Sequence, residues 1–366
     1  MTAFRLSDEE RRDWLRLINT EHIGPATFRA LLARFGSATE AVAALPQLSQ
    51  KGGMRRPISI YSRDSADADF ERAEAAGACF IAPGEHGYPP LLQFIDAPPP
   101  LLCVKGDRSL VEREAVAIVG ARNASAAGRK FARTLAADIA GAGYAIVSGL
   151  ARGIDTAAHQ AALEHGTAAA LAGGIDIVYP PENRELQEAI GARGLLVTEM
   201  IPGTVPRAEH FPRRNRIISG MSRAVIVIEA AQRSGSLITA RLAAEQGREV
   251  FAVPGSPLDP RCEGSNSLIK HGAGLLTGAG DLIEALGAAS GARHAPPVFL
   301  KPDPAPLEAS VDERARIISL LSHAPVEIDE LIRESGTSAS AVIGVVLELE
   351  LAGKAARAGN QLVSLI

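Results

Sequence analysis

The sequence predicts an α/β protein whose central part is a doubly wound, Rossmann-like domain. Between residues 111 and 286, short apolar runs alternate with segments of helical periodicity. The runs are apolar throughout, which is typical of strands in a parallel sheet that helices cover on both faces. One run leads through a glycine into a helical pattern, within the stretch Ala117–Gly128. The predicted strands are Val116–Val119, Ala145–Val147, Ala168–Leu171, Gly194–Thr198, Ala224–Val227, Glu249–Val253 and a short one at Gly274–Leu276, with helices between them such as Lys130–Gly141 and Leu237–Gly247.

The segment before this domain, residues 1–80, is predicted to be a small helical domain. Ser7 and Glu10 have the spacing of a capping box at the start of a helix. Ile23-Gly-Pro-Ala26 then separates this helix from a second one, an order typical of a helix-hairpin-helix. The N–H groups of such a turn can hold a DNA phosphate, but Glu21 flanks the turn and basic residues are few there. We therefore favour a turn that serves packing.

The last segment is predicted to be a winged-helix-like domain. Its third helix carries Glu348 and Glu350 and no basic residue, whereas a helix that reads DNA needs basic or amide side chains. We therefore expect this helix to contact protein or to pack within the chain. The predicted elements are helices at Glu313–Leu321, Ile328–Glu334 and Ala339–Ala352, followed by short strands at Ala355–Arg357 and Gln361–Ser364.

Proline-rich stretches separate these parts of the chain. The stretch 83–107 is predicted to be an ordered, extended connector that leads into the central domain, because consecutive prolines hold a chain extended. The stretch 287–310 is predicted to be a linker. The predicted organisation is a helical domain at 1–80, the Rossmann-like domain at 81–286, the linker at 287–310 and the winged-helix-like domain at 311–366.

The composition excludes several classes of protein. The net charge of −4 excludes a generally basic surface, so any binding of nucleic acid must rest on a local patch. Cys79, Cys103 and Cys262 are far apart and form no C-x-x-C, which indicates neither a disulfide framework nor a zinc site. The charged N-terminus has no apolar signal core, and no apolar run approaches the ~20 residues of a membrane span. We expect a reduced, cytoplasmic protein that does not enter membranes.

Three glycine-containing turns follow predicted strands and open helices. They are Val119-Gly-Ala-Arg122, the turn that begins with Ser148-Gly149, and Ser234-Gly-Ser236. Backbone N–H groups at such helix starts bind anions, and in doubly wound sheets they lie at the carboxyl ends of the strands. The G-x-G-x-x-G pattern is absent, and Arg122 stands where a dinucleotide fingerprint has a small residue. The turns therefore predict a groove for phosphate, either of a nucleotide or of a nucleic acid.

The densest basic cluster lies between Pro206 and Arg223. Five arginines stand there against one acid, Glu209, so the segment carries +4 in a chain of net charge −4. Arginine forks match phosphate oxygens, and an aromatic side chain such as Phe211 can stack on a base. This combination is typical of contact with a single strand or with another phosphate. The alternative is that some arginines pair with nearby acids, that Phe211 belongs to the core and that one arginine near Arg216 is buried.

Signals of catalysis are weak. The eight histidines are scattered, and the sequence has no H-E-x-x-H, G-x-S-x-G or Walker A pattern. Glu199 follows a predicted strand and could act as a general base, but nothing in the sequence pairs with it. Asp155 and His159 are as readily explained as organisers of the second turn, and Ser234–Ser236 as a helix cap. We predict no catalytic residue, metal or cofactor; the alternative is an enzyme or a sensor that acts on a nucleotide phosphate.

These motifs together resemble the DprA/Smf (DNA processing protein A) family. The resemblance covers about residues 83–286 in detail, and the number and order of the motifs argue against chance. The LOG-type nucleotide hydrolases have a similar fold and a P-G-G-x-G-T-x-x-E signature. Ala172-Gly-Gly-Ile-Asp176 lacks the threonine and glutamate of that signature, which disfavours an enzyme. The matching motifs are Tyr88-Pro89 with Asp96-Ala-Pro-Pro, Val119-Gly-Ala-Arg122, Ser148–Asp155, Gly173–Pro180, Glu199, Phe211–Ile218, Ser234-Gly-Ser236, Val253-Pro-Gly255 and Gly264–Ser267.

The resemblance implies a domain set, partners and a site. Family members often carry an N-terminal SAM-like domain and a C-terminal winged helix, and they dimerise through the Rossmann-like domain. The resemblance implies a cytoplasmic, non-enzymatic protein that binds single-stranded DNA cooperatively, protects incoming strands during natural transformation and loads the RecA recombinase. Some members have a lysine where this chain has Ala208, next to Arg207. The DNA-binding residues expected from the motifs and the resemblance are Gly120, Arg122, Ser148, Gly149, Arg152, Phe211, Arg213, Arg214, Asn215, Arg216, Ser234, Gly235 and Ser236.

Overall fold

The computed structural model describes residues 5–288, 309–358 and 361–366. These residues form two compact units. Most of the predicted linker lies outside the described residues, and the bounds of the four predicted segments stay predictions. The first unit contains Asp69–Ile95 and the described residues from Leu101 to 288, and the second contains Leu6–Ala68, Asp96–Pro100 and the described residues from 309 onward.

Helices and strands alternate through the middle of the chain, as predicted. The helices are α1 (Asp8–Asn19), α2 (Pro25–Phe35), α3 (Ala38–Lys51), α4 (Arg63–Ala75), α5 (Ala126–Gly141), α6 (Ile154–Ala162), α7 (Arg184–Arg193), α8 (His210–Gly220), α9 (Gly235–Glu245), α10 (Glu263–Lys270), α11 (Ala279–Ala288), α12 (Val311–Leu320), α13 (Ile328–Ser335) and α14 (Ala339–Leu351). The strands are β1 (Cys79–Ile81), β2 (Leu102–Gly106), β3 (Ala115–Gly120), β4 (Ala145–Ser148), β5 (Thr167–Ala170), β6 (Leu195–Thr198), β7 (Ala224–Ile228), β8 (Glu249–Ala252), β9 (Gly274–Leu275), β10 (Val326–Glu327), β11 (Ala355–Ala358) and β12 (Leu362–Leu365).

The first unit is built around one sheet with the strand order β1-β2-β6-β5-β4-β3-β7-β8-β9. All neighbours from β6 to β9 are parallel. The chain proceeds from β3 through β4 and β5 to β6 on one side, and from β7 through β8 to β9 on the other. This confirms the predicted doubly wound, Rossmann-like fold.

Both faces of the sheet are buried, which explains why its strands lack polar alternation. Neighbouring side chains of a strand point to opposite faces. In β3, Val116 and Ile118 pack with apolar residues of α5 and α6, whereas Ala117 and Val119 pack with residues of α8 and α9. Each strand position therefore faces one apolar layer or the other, and the runs read as continuously apolar.

One edge of the sheet differs from the prediction. β2 pairs antiparallel with β6, with Val104 opposite Val197, and β1 pairs antiparallel with β2. The proline-rich stretch 83–107, predicted to be an extended connector, contains a 3₁₀ turn at Pro90–Phe94 and ends in β2. The sheet is therefore mixed at this edge. Prolines that precede a strand remove no donor from its ladder, so Pro98–Pro100 can lead into β2 without preventing it.

The topological switch point lies between β3 and its two neighbours. β3 pairs in parallel with β4 and with β7, so that Ala117 stands opposite both Val147 and Val225. The carboxyl ends of these three strands meet at one edge, where proteins with such sheets bind ligands. The three predicted glycine turns follow these three strands, so the fold brings them to the same edge.

The second unit combines α1–α3 with the described C-terminal residues. α1 begins with the predicted capping box, in which the Ser7 hydroxyl accepts from the Glu10 N–H and the Glu10 carboxylate accepts from the Ser7 N–H at 2.7 Å. The rings of Trp14 and Phe28 pack edge to face between α1 and α2. α12, α13 and α14 with the antiparallel sheet β10-β12-β11 form the winged-helix arrangement, in which β10 adds a strand to those predicted.

The third helix of the winged-helix segment, α14, packs against α2 and α3. A Cβ on Gly52 would overlap the carbonyl oxygen of Glu348, so the two backbones are in direct contact. Arg314 pairs with Glu348 and also donates to the carbonyl oxygen of Lys51 at 2.6 Å. These contacts show that this helix packs within the chain, which agrees with one of the two alternatives expected for it.

A second acid of α14, Glu350, is buried in the same unit. Its carboxylate lies 3.1 Å from the Nε of Arg357 and 3.5 Å from the hydroxyl of Thr27 on α2. Burial raises the pKa of Glu350 to about 7, although both partners favour the charged form. The packing of α14 therefore includes a carboxyl group that titrates near neutral pH.

Among the helices of the described ranges, none combines the length and the hydropathy that crossing a bilayer requires.

Candidate phosphate-binding groove

The first glycine turn lies where β3 ends beside β7. A Cβ on Gly120 would overlap the carbonyl oxygen of Ile228, so this close approach requires glycine. The helix that follows is capped by Ser125. Glu229 in turn accepts a hydrogen bond from the Ser125 N–H at 2.8 Å. The start of α5 is thus bound to a carboxylate of the protein, whereas Arg122 of this turn is exposed to solvent.

Arg122 is an exposed cation that lies over an aromatic ring. Its guanidinium carbon is 5.0 Å from the centroid of Phe211, and the Phe211 ring is 5.5 Å from that of Tyr179. No carboxylate of the described residues forms an ion pair with Arg122. Phe211 is partly exposed and Tyr179 is 40% exposed, so neither ring belongs to the core. The three side chains form a surface with a cation and two aromatic faces.

The second turn, after β4, is organised from within the protein. The buried Ser148 hydroxyl donates to the carbonyl oxygen of Ile118 at 2.6 Å. The Asp155 carboxylate accepts from the N–H groups of Gly149 and Ala151 at 3.1 and 3.3 Å. Burial raises the pKa of Asp155, while these hydrogen bonds and a nearby arginine favour its charged form. Asp155 therefore takes the place that an external anion would occupy at this turn.

His159, in the same helix, is also structural. Its Nδ1 lies 2.7 Å from the hydroxyl of Thr167, and its ring is fully buried. Burial lowers the pKa of His159 to about 3, so the ring is neutral at physiological pH. The alternative in which Asp155 and His159 organise the turn agrees with this geometry.

Arg214 is the buried arginine of the basic cluster. It donates to the carbonyl oxygens of Gly149, at 2.6 Å, and of Ala170. A Cβ on Gly149 would lie 2.6 Å from this guanidinium, so glycine is required there. Burial lowers the pKa of Arg214 to about 10, which leaves it charged at neutral pH. Asn215, its neighbour, is buried and donates to the Gly235 carbonyl oxygen at 3.3 Å.

Two other arginines of the cluster pair with Glu199. Arg213 lies 3.0 Å from one carboxylate oxygen of Glu199, and Arg216 binds the other. The Glu199 side chain is only 4% exposed. The alternative that some arginines pair with acids therefore holds for these two. Arg152 forms a looser pair with Glu182, at 3.5 Å between side chains that are both more than half exposed.

The third turn, after β7, presents a serine cap and an exposed arginine. Ser234 caps α9, and its hydroxyl lies 2.6 Å from that of Ser236. Gly235 is exposed, and a Cβ there would have open space around it. Arg233, directly before the turn, is exposed and has no ion-pair partner within the described part of the chain. This turn is the most open of the three.

One groove joins the first and third turns with the basic helix. Its walls include residues of the Gly120 turn, Phe211 and the stretch Arg233–Ser236. A smaller pocket next to it is lined by Arg122, Tyr179 and the backbone of the second turn. The structure therefore brings the three turns and α8 together. Ser148, Arg214, Asn215 and Ser236 are buried. Direct contact with a ligand stays a prediction for them and for every other residue expected to bind DNA.

Two residues of this surface were missed in the sequence. Tyr179 lies in a loop within Gly173–Pro180, one of the motifs that resemble the DprA/Smf family. Its contact with Phe211 depends on the fold and cannot be predicted from that motif. Arg233 had a usable signal, because a basic residue directly before a Ser-Gly-Ser helix start adds charge to an anion site. Within the described ranges, no group of three or more histidine, cysteine, aspartate or glutamate side chains is placed to hold a metal ion.

These features define the class of the protein. It is a Rossmann-like protein with an arginine-lined groove at the switch point of its sheet, accompanied by a helical hairpin segment and a winged helix. A family model described as DNA recombination-mediator protein A matches residues 79–287, and the chain belongs to that family. Models of the DprA-like N-terminal HHH domain and the DprA winged helix domain match residues 8–71 and 301–361.

Relatives and solved structures agree with this assignment. The chain is 45% identical to the DNA processing protein DprA of Bacillus subtilis over 202 residues, which cover 54% of this chain and 68% of that protein. It is 38% identical to the Protein Smf of Escherichia coli, over 80% of this chain and 79% of that protein. The crystal structure of DprA from Streptococcus pneumoniae matches with a TM-score of 0.65 and 35% identity, covering 77% of this chain and 98% of that one. A Helicobacter pylori DprA structure, which concerns a single-stranded DNA binding mode, matches with a TM-score of 0.54 and 28% identity, covering 58% of this chain and 96% of that one.

Proposed function

We propose that this protein binds single-stranded DNA in the groove at the switch point of its sheet. The observation that carries the proposal is the pair of Arg122 and Phe211. Arg122 is an exposed cation with no ion-pair partner among the described residues, and it lies on an aromatic face that is still partly open. A base can stack on such a ring while the guanidinium binds the adjoining phosphate. Arg233 and the third turn extend the cationic surface along the same groove.

The buried arginine and the paired arginines have supporting parts in this proposal. Arg214 gives the groove a positive charge from beneath and holds the second turn in place. Arg213, which is 48% exposed on its side chain, could exchange its contact with Glu199 for a phosphate. Arg216 and Glu199 remain together in this scheme. Backbone contact through Arg122, stacking on Phe211 and contact through the third turn are the direct interactions that we propose.

We further propose that binding serves recombination. A protein that coats a single strand can protect it and hand it to a recombinase, so we infer protection of incoming DNA during natural transformation and loading of RecA in the cytoplasm. Membership in the recombination-mediator family supports this role. We propose a homodimer formed through the first unit. Leu275 on the edge strand β9, 52% exposed, and Ile283 on α11, 38% exposed, offer apolar surface for it.

An enzymatic role on a nucleotide is less well supported. That alternative would use Glu199 as general base. Both carboxylate oxygens of Glu199 are engaged by guanidinium groups, and the side chain is only 4% exposed, so neither oxygen is free to reach a substrate. We therefore propose binding without turnover.

The proposal is tested by fluorescence anisotropy with a labelled oligo-dT strand and with the matching duplex. Each titration is repeated at rising salt and with mononucleotides as competitors. We expect tight, salt-sensitive binding to the single strand, weaker binding to the duplex and no displacement by mononucleotides. Equal binding of duplex and single strand, or displacement by a mononucleotide at low concentration, would contradict the proposal.

The variant Arg122→Ala tests the site itself. We expect it to weaken binding of every single-strand sequence alike and to reduce the slope of log K against log salt by roughly 0.7, the value of one phosphate contact. Arg193→Ala is the matched control. Arg193 ends α7 just before β6 begins, so it lies at the amino ends of the strands, away from the groove at their carboxyl ends. An unchanged affinity of Arg122→Ala would remove Arg122 from the site.

A further inference from the structure

A basic cleft on the second unit is formed by residues from both ends of the chain. It is lined by His22 from the turn between α1 and α2, by residues 53–56 after α3 and by residues 352–354 after α14. We call this site the terminal cleft. None of its lining residues lines the groove at the switch point of the sheet.

Two glycines hold the walls of the terminal cleft together. A Cβ on Gly53 would overlap the Lys354 ammonium, and a Cβ on Gly353 would lie 2.9 Å from the His22 ring. Both glycines have positive φ, 88° for Gly53 and 67° for Gly353. The Lys354 ammonium thus lies against the loop after α3, and the loop after α14 touches the α1–α2 turn at His22. The positive φ is what favours glycine at both positions. Since each loop comes from a different end of the sequence, the cleft exists only where both ends pack together.

The charge of the terminal cleft is positive and partly unpaired. Its charged lining residues are Arg55, Arg56 and Lys354, with His22 as a further basic group. The adjoining acid Glu21 binds Arg56 through two contacts of 2.8 Å. Arg55 and Lys354 are exposed and form no ion pair within the described part of the chain. Two exposed cations therefore line this cleft, in a protein whose net charge is −4.

The ligand that suits these walls is a chain of phosphates. An arginine fork and a lysine ammonium both bind phosphate oxygens, and an open cleft admits an extended polyanion. The α1–α2 turn adds to this, because α2 starts at Pro25 with Gly24 as its cap and nothing lies within 4 Å of a Cβ on Gly24. The positive end of the α2 dipole thus faces open space beside His22.

We propose that the terminal cleft is a second binding site for the sugar-phosphate backbone of DNA, with Arg55 and Lys354 as its principal contacts. The proposal rests on the proposed function in that DNA is the ligand, but it concerns different residues on a different unit. It also revises the role of the α1–α2 turn, for which the sequence favoured packing alone.

The full-length double variant Arg55→Ala, Lys354→Ala tests the proposal. Both residues are exposed, so we expect normal folding, checked by circular dichroism and thermal unfolding. The matched control is Arg316→Ala, Arg333→Ala, which removes two exposed arginines from helices of the same unit. Binding is measured across a salt series with a short oligo-dT strand, a long oligo-dT strand and a long duplex.

We expect the double variant to bind the short strand as the wild type does and the long strand about tenfold more weakly, with a salt slope lower by roughly 1.4 for two lost contacts. The duplex shows whether the cleft also takes a paired backbone, and an equal loss there would extend the proposal to both forms. Acetylation of lysines, followed by mass spectrometry, provides an independent readout: DNA should protect Lys354, with the exposed Lys270 as reference.

Two outcomes would overturn the terminal cleft as a DNA site. One is an unchanged affinity and salt slope on all three DNAs, with Lys354 equally reactive when DNA is present. The other is protection of Lys354 by an acidic protein partner and not by DNA. Failure of the proposed function is a different result, because then the wild type itself would show no preference for the short single strand.

Discussion

At the scale of single residues, Phe211 decides whether the groove recognises bases or only phosphates. Its ring lies between Arg122 and Tyr179 and is still partly open. We expect Phe211→Ala to weaken binding of single strands by about tenfold or more, since stacking on one aromatic ring contributes ~1–3 kcal/mol. Phe211→Tyr keeps the ring and serves as the control. Anisotropy titrations measure both, and equal affinities of the two variants would mean that the ring does not stack on a base.

The pairing of Glu199 illustrates which residue contacts a sequence can predict. The basic cluster, its aromatic residue and the glycine turns are local patterns, and all of them lie at one edge of the sheet as the strand ends require. The partners of Arg213 and Arg216 could not be found in this way. Glu199 follows β6, and it meets these arginines only because α8 packs across the sheet. The sequence therefore predicted more free arginines in the basic cluster than the structure has.

At the scale of elements, the turn after β4 depends on Gly149. A Cβ there would lie 2.6 Å from the Arg214 guanidinium, which is itself fixed by two backbone carbonyl oxygens. We expect Gly149→Ala to lower the free energy of unfolding by about 1–3 kcal/mol, the usual cost of overpacking. Gly141→Ala, in α5 with nothing within 4 Å of the added Cβ, should be neutral or stabilising. Chemical denaturation measures both, and an equal stability of the two variants would show that Arg214 can move aside freely.

The three helix starts at the groove show what a strand–turn–helix pattern in the sequence can and cannot predict. The sequence predicted strand, turn and helix correctly at all three positions, because apolar runs and glycines mark them directly. It also suggested three free anion sites, yet Glu229 occupies the first and Asp155 the second. These carboxylates lie in other turns or one turn into the helix, and a strand–turn–helix pattern carries no information about them. The third turn, with Gly235 exposed, keeps the predicted opening.

At the scale of the whole molecule, the two ends of the chain share one compact unit. The sequence predicted each end by itself as a helical hairpin and a winged helix. It could not predict their pairing, which depends on contacts such as the one from Arg314 to the carbonyl oxygen of Lys51, 263 residues apart. The acidic third helix was the available signal, because a recognition helix without basic residues needs another surface to cover it.

The buried acid of that helix makes the stability of this unit depend on pH. Glu350 has a pKa of about 7 in the folded chain, against an ordinary value near 4.5. Between pH 4.5 and about 7, Glu350 therefore keeps its proton in the folded state but has lost it in the unfolded state. The free energy of unfolding falls as the pH rises through this range. Below pH 4.5 the group is protonated in both states and has no effect on the balance.

The variant Glu350→Gln should remove this dependence, because an amide cannot titrate while it still fits between Thr27 and Arg357. We expect the wild type and the variant to approach each other at low pH. Above pH 7 the variant should be more stable by on the order of 3 kcal/mol, the energy of the raised pKa. Urea unfolding of the full chain at a series of pH values measures the difference, with Glu334→Gln, at an exposed position of the same unit, as the control for losing a carboxylate. A constant difference between Glu350→Gln and the wild type from pH 4.5 to 7 would contradict the assignment, because it would mean that Glu350 stays charged beside Arg357 throughout.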